Sequence, residues 1–205
     1  ALYCPSGIIR LHMGVVTKTG DKGETGRFGG ARVPKDDPGV AANGDVDELN
    51  SAIGLLAARP DIAADIAEQL VDVQSACFTL GAEIATPSDA PNASQTYIPR
   101  IKEADIARVE HWISDIEALL AKQTKFFLPG GAPASAMAYW IRTIARRAER
   151  SVVRAGRESR MRPLVIQYLN RLSDYFYVLA RLLNQRAGVF EREWRGGSGP
   201  IPPQA

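Results

Sequence analysis

The sequence is poor in the residues that build metal cages and covalent cross-links: it holds 2 cysteines and 2 histidines among 205 residues. Cys4 and Cys77 do not support a disulfide framework or a zinc site. With only His12 and His111, a multi-histidine metal site is excluded, and no protein metal-ligand set is read from the chain. Cys77 falls inside an apolar helical pattern, where a buried thiol is expected. That usage fits a reducing, cytoplasmic compartment. No apolar run approaches the roughly 18 residues that cross a bilayer, so no membrane role is read. The net charge of +2 gives no overall electrostatic case for nucleic acid or an anionic surface. There is no internal repeat, and strand signals are weak throughout.

What is present is ordinary for a globular chain: 45% hydrophobic and 23% charged residues. That is enough for one sizeable core, or at most two small ones. Residues 1–14 read as a leader or disordered N-terminus, without the long apolar stretch of a secretory signal, and Met13 reads as a native start. Residues 15–190 read as one helical domain and 191–205 as a flexible Gly/Pro-rich tail.

Within the domain, Val15 to Lys35 is rich in Gly, Thr and charge and reads as an ordered loop or short extended piece. A helix is expected after Asp37, with Pro38 in its first turn and Leu49, Ile53 and Leu56 on one side. Ile62, Ile66, Leu70, Val73, Cys77, Leu80 and Ile84 recur at steps of three and four, which predicts a second. Thr86 to Pro99 holds 3 prolines and reads as a surface loop. A third helix carries Ile106, Val109, Ile113, Ile116 and Leu120 in phase. The Phe126–Gly131 segment breaks the pattern. A fourth helix runs from about Pro133 to Ala155, stopping at Gly156, and a fifth from about Pro163 to Ala187. The fifth turns Leu169, Leu172, Phe176, Leu179 and Leu183 inward. Five long helices with short connections predict an antiparallel all-α bundle. Faces left over after packing would pair copies of the chain in a symmetric oligomer.

Three segments are candidates for chemistry. In Thr17 to Gly26, glycines let backbone N–H groups approach an anion, and threonine hydroxyls and Lys18 suit phosphate. Asp21 can hold a hydrated Mg²⁺ or fix the loop. The segment is not the Gly-Lys-Ser/Thr phosphate loop, and a plain turn is the competing reading. On the fourth helix, Arg142, Arg146 and Arg150 are spaced four apart and share one ridge, suited to a polyanion. Glu149 can orient Arg146; a solvated, salt-bridged face is the alternative. On the fifth, Asn170, Arg171 and Asp174 share one side opposite Leu169, Leu172 and Phe176. Asp45, Asp47 and Glu48 either pair with arginines or face water. Ser135, Ser151 and Ser173 lack an activating context, so a bound reactant is expected to be the nucleophile.

Taken in order, Thr17–Thr25, Arg32-Val33-Pro34-Lys35-Asp36-Asp37, Gly44–Gly54, Phe127-Leu128-Pro129-Gly130-Gly131, Arg146–Arg150 and Leu169–Asp174 resemble the PduO type of ATP:cob(I)alamin adenosyltransferase over about Val15 to Arg186. The resemblance implies a five-helix ferritin-like bundle, assembled as a homotrimer with active sites between subunits. It implies transfer of the 5′-deoxyadenosyl group of ATP to the cobalt of a reduced corrinoid (cobalamin, vitamin B12), with Mg²⁺ and triphosphate release. It implies ATP contacts at Thr17, Lys18, Thr19, Gly20, Thr25 and Gly26, with Lys35 on a phosphate. Arg146, Arg147, Glu149 and Arg150 would line the nucleotide from the adjacent subunit, with Asn170. Arg142 is similar to an arginine that pairs across the interface, with Asp47 or Asp45 as partner. The resemblance also implies that an aromatic residue just before the Leu-Pro-Gly-Gly turn helps remove the lower axial base, leaving a four-coordinate Co(II) that is easier to reduce. Phe126 aligns with that aromatic and Phe127 is the alternative. A corrinoid reductase and a B12-dependent acceptor enzyme are the implied partners. A non-catalytic corrinoid carrier or nucleotide-responsive binding protein on the same fold is the other reading. A nucleic-acid module on the arginine ridge is disfavoured by the near-neutral charge and by the lack of interleaved aromatics.

Overall fold

The computed structural model describes residues 16, 18–28, 32–86, 98–157 and 161–195. The leader expected over 1–14, Thr17 and the last part of the tail lie outside the described residues. Five helices form an all-α bundle: α1 (Pro38–Ala57), α2 (Ala64–Ala85), α3 (Glu103–Leu119), α4 (Pro133–Ala155) and α5 (Pro163–Arg186). Proline stands in the first turn of α1, α4 and α5, where its missing N–H costs nothing and its fixed φ suits the helix. At α1 the Asp37 carboxylate also accepts from the N–H groups of Gly39 (2.8 Å) and Val40 (3.3 Å). α4 stops where the sequence predicts, at Gly156, although that residue keeps a right-handed φ of −65°. A methyl group there would come within 3.3 Å of Met161 Cβ and the Val152 carbonyl, so close approach explains the glycine.

The helices neighbour one another in the order α2, α1, α4, α5, α3. α4 presents Ala134, Ala138, Ile141, Ala145, Ala148, Val152 and Ala155 inward at alternating steps of four and three. Small side chains on this stripe let α1 and α5 approach closely. α5 is the central element, and its C-terminal half is buried nearly all round, from Tyr175 to Asn184 apart from half-buried Tyr177. Pairs such as Ile101 with Arg162 and Glu110 with Arg171 show that α3 runs parallel to α5. α2 and α4 run the other way. One bundle end therefore gathers the starts of α1, α3 and α5 with the ends of α2 and α4.

At that end Glu83, buried on α2, accepts from Arg162 Nη1 (2.7 Å) and from the Ile101 N–H. Arg162 Nη2 donates to the Ile101 carbonyl at 3.2 Å. The staple ties α2, the approach to α3 and the start of α5 together. Cys77 is buried as expected, and burial pushes its thiol up to about 12.

The segment expected as a loop or short extended piece contains a two-stranded antiparallel hairpin, β1 (Glu24–Gly26) and β2 (Arg32–Pro34). At the opposite bundle end, residues 192–194 are tied to residues 125–128. The Leu128 N–H donates to the Arg192 carbonyl (2.8 Å), the Trp194 N–H to the Phe126 carbonyl (2.7 Å), and Lys125 Nζ to Glu193 Oε2 (2.6 Å). This strap extends ordered structure through Trp194. No helix among the described residues is long and apolar enough to cross a membrane.

Candidate active site

The phosphate-loop candidates cluster at the α1 end of the bundle. The Gly23 N–H donates to the Gly20 carbonyl (3.2 Å) and the Lys35 N–H to the Gly23 carbonyl (2.8 Å), closing the turn. Arg32 Nη2 donates to the carbonyls of Thr19 (2.6 Å) and Glu24 (3.2 Å). The Arg27 guanidinium pairs with Asp37, and the Phe28 N–H donates to the Ala85 carbonyl at 3.1 Å. The turn is thereby braced against α1 and the end of α2. Lys35 folds back over it: a methyl group on Gly20 would lie 3.1 Å from Lys35 Nζ. Lys18 holds a left-handed φ of 56°, uncommon for a residue with a β-carbon. Lys18, Thr19, Gly20, Thr25, Gly26 and Lys35 thus form one exposed to half-exposed cationic turn.

The arginine cluster divides by direction. Arg147 points to α1, where Nε lies 3.3 Å from Asp45 Oδ1 and Nη2 donates to Glu48. These partners, Glu48 foremost, raise its pKa. The salt-bridged reading of the cluster therefore applies to Arg147. Asp45 also accepts from the Ser151 hydroxyl, whereas Asp47 is exposed. Arg142 leans toward α5, its guanidinium carbon 5.6 Å from the centre of the Tyr177 ring. Arg146 and Arg150 lie exposed between these two, and neither makes an ion pair among the described residues.

Glu149 does not orient Arg146 in this chain. It accepts from Asn170 Nδ2 at 3.3 Å, because the two face each other across α4 and α5. Arg171 Nη1 donates to Asn170 Oδ1 (2.9 Å) and to Asp174 Oδ2 (3.0 Å), and its Nε to Glu110 Oε1 (2.8 Å). The Asn170 amide is thus held from both sides.

Arg142 and Phe126, singled out from separate motifs, line the same cavity. It has a volume of about 550 Å³ and lies among α3, α4 and α5, with Glu110, Arg171, Asp174 and Tyr177 also in its walls. The two adjacent phenylalanines have different surroundings. Phe126 is 73% exposed, with the Trp194 ring edge-on at 6.4 Å. Phe127 is half-buried, with the Arg181 guanidinium 5.2 Å from its ring centre. The Tyr177 hydroxyl donates to Gln123 Oε1 at 2.7 Å and fixes the floor beside them.

Sequence reading missed Asn184 and Arg181. Asn184 is 2% exposed; its Oδ1 accepts from the Ala132 N–H (2.9 Å) and its Nδ2 donates to the Gly130 carbonyl (3.1 Å). A β-carbon on Gly131, whose φ is +101°, would collide with that amide, so glycine is required there. The available signal was two polar residues inside the otherwise apolar run Val178–Leu183 and its end.

Residues 15–183 match the family model for cobalamin adenosyltransferase. The chain is 39% identical over 181 residues to a cobalamin adenosyltransferase of Cupriavidus metallidurans, covering 88% of this chain and 94% of that one. It is 38% identical over 186 residues to a corrinoid adenosyltransferase of Bacillus subtilis, covering 89% and 92%. Its fold superposes with a TM-score of 0.83 on a variant PduO-type ATP:corrinoid adenosyltransferase from Lactobacillus reuteri complexed with cobalamin and ATP, at 33% identity over 89% of this chain and 100% of that one. With this sequence match running through hairpin, ridge and cavity alike, the chain belongs to the cobalamin adenosyltransferase family.

Proposed function

We propose that this chain is an ATP:corrinoid adenosyltransferase that works as a homotrimer, with each active site formed between two copies. The observation that carries the reading is the convergence of Arg142 and Phe126 on one cavity, beside the unpaired Arg146 and Arg150. The cationic turn around Lys18 and Lys35 lies at the α1 end of the bundle, away from Phe126, so the turn of one copy would serve the ridge of the next. Asp47 supports that assembly: Asp45 is engaged by Arg147 and Ser151 of its own chain, which leaves Asp47 for the neighbouring copy's Arg142.

The reaction is displacement at C5′ of ATP. Cobalt in the Co(I) state supplies both electrons of the new cobalt–carbon bond and becomes Co(III). The C5′–O bond breaks and triphosphate leaves with its electron pair. No protein nucleophile is needed; the chain supplies geometry and charge. Negative charge grows on the triphosphate, and Lys18, Lys35, Arg146 and Arg150, which make no ion pair among the described residues, would meet it. Thr17, Thr19, Gly20, Thr25 and Gly26 would hold the phosphates through backbone and hydroxyl donors. Asn170 and Glu149 would hold the nucleoside. Exposed Phe126 would face the corrin, compete with the lower axial base and exclude water. Mg²⁺ would travel with ATP: Asp21 offers one exposed carboxylate beside the turn, which fits an ion held mainly by phosphate oxygens and water. A reductase would supply the electron for Co(I) and a B12-dependent enzyme would take the product, in the reducing cytoplasm where the Cys77 thiol persists.

The test is anaerobic. Chemically reduced cobalamin, ATP and Mg²⁺ are mixed with the protein, and the light-sensitive cobalt–carbon product is followed by its visible spectrum. Wild-type turnover with little product from Arg146→Ala is the expected result. Tight binding of both substrates with no product would replace the enzyme by a corrinoid carrier or nucleotide-responsive protein.

A further inference from the structure

Arg181 is 7% exposed, in the buried C-terminal half of α5, and contacts three separate parts of the chain. Its Nε donates to Glu191 Oε2 at 3.1 Å and Oε1 at 3.3 Å. Its Nη2 donates to the Ala121 carbonyl at 3.0 Å. Its guanidinium lies over the Phe127 ring. The Tyr139 hydroxyl, from α4, donates to the same Glu191 at 3.3 Å. Burial, followed by the charge of Glu191, keeps that phenol protonated well above its ordinary range.

Arg181 touches Phe127 within, and Ala121 and Glu191 just ahead of, the two short segments that pair with each other, 126–128 and 192–194. Phe126 and Trp194 stand on the outer side of that ladder, and Arg181 lies beneath it. Burying an ion pair costs several kcal/mol per ion before the partners offset it, and apolar residues of similar size often do as well for stability. A fork that reaches a carbonyl, a carboxylate and a ring at once does what an apolar residue cannot: it sets the position of one segment against the other.

We propose that Arg181 is a positioning residue for the adenosyl transfer. By clamping the 121–128 segment and the strap from below, it holds the Phe126 ring at the rim of the corrin cavity. Arg181 acts through Phe127, Ala121 and Glu191 and touches no substrate. The inference rests on the transferase reading and on Phe126 facing the corrin. Its consequence is selective. A Co(II) corrinoid must shed its lower base before a mild one-electron donor, such as a reduced flavin, can deliver the electron that makes Co(I). A corrinoid already at Co(I) has passed that stage, so a displaced Phe126 matters far less to it.

The experiment compares wild type, Arg181→Met, Arg181→Lys and Glu191→Gln on two substrates: chemically prereduced Co(I) cobalamin, and Co(II) cobalamin with reduced flavin. The absorption band of four-coordinate Co(II) is recorded with ATP present. Arg181→Met and Glu191→Gln are expected to lose about tenfold or more on the Co(II) route and less than about threefold on the Co(I) route, with KM for ATP unchanged. The four-coordinate band should shrink in parallel, and Arg181→Lys should recover part of it. Equal losses on both routes, or none on either, would overturn the proposal. If Arg181→Met does not fold, the same split in Glu191→Gln decides. A wild type inactive on Co(I) would sink the transferase reading itself; an active wild type with unsplit variants would sink only the role of Arg181.

Discussion

Replacing Asn184 by alanine removes two hydrogen bonds from the turn that leads into α4. Each such bond contributes about 1 kcal/mol net, and a buried donor left without an acceptor adds about 1–3 kcal/mol. The Ala132 N–H is in that position, since Ala132 is buried. Asn184→Ala should therefore destabilise the chain by about 3–5 kcal/mol, lowering the Tm by roughly 2–4 °C per kcal/mol for a chain of this size. Gly131→Ala should be at least as harmful alone, because its methyl group meets the Asn184 amide at a φ of +101°. In the Asn184→Ala background the amide is gone, and Gly131→Ala should cost only its backbone strain, about 1–3 kcal/mol. The double variant should thus lose about 2 kcal/mol less than the sum of the singles. Urea unfolding of the four proteins at one fixed concentration, followed by circular dichroism, measures this cycle. Strict additivity would show that the amide and the glycine do not meet, and would refute the clamp.

Three further outcomes are expected. Arg147→Ala should cost no more than about 1 kcal/mol of stability, since its pairs with Asp45 and Glu48 are partly exposed, whereas Arg146→Ala should leave stability unchanged and lower kcat by about 10²-fold; thermal melts beside anaerobic turnover separate the two. Arg162→Ala leaves the Glu83 carboxylate buried without its cation and should cost about 3–5 kcal/mol, while Glu83→Leu with Arg162→Met together should cost less than Arg162→Ala alone, read from unfolding midpoints. Burial raises the Cys77 thiol, so its neutral form stabilises the folded chain fully below pH 9.0 and that contribution is lost as pH rises toward about 12. Stability should fall across that window by up to about 1.4 kcal/mol per pH unit from this group, and Cys77→Ala should flatten the slope.

Each helix was legible because its apolar residues recur at three and four, and no other regular structure buries that pattern. Pro38, Pro133 and Pro163 fixed three of the starts. The hairpin was not legible: its strands are three residues each, rich in Gly and charge, and are held by Arg27 and Arg32 reaching distant carbonyls and carboxylates. Spacing put Arg142, Arg146 and Arg150 on one ridge. It did not reveal that Arg147 would be taken by α1, because that depends on which neighbour lies on its flank. The same limit applies to Glu149, drawn to Asn170 across the helix pair rather than to Arg146 one turn away. Arg181 and Asn184 escaped notice because periodicity treats the polar positions of an amphipathic helix as surface, and the C-terminal half of α5 has almost none.

The parallel placement of α3 beside α5 carries a consequence for folding order. α1 with α2, and α4 with α5, are antiparallel neighbours in sequence, whose contacts close short loops at little entropic cost. α3 has no such partner. It docks along α5 through residues about 60 positions away and fully buries only Ile106, Val109 and Ile116. Its amides should exchange with solvent before those of α4 and α5, as a separate opening unit. Because Glu110, Ile113 and Glu117 of α3 form one wall of the cavity, that opening would expose the floor on α5 while the arginine ridge stayed folded. The least protected helix would then be the one that governs access to the corrin side of the site.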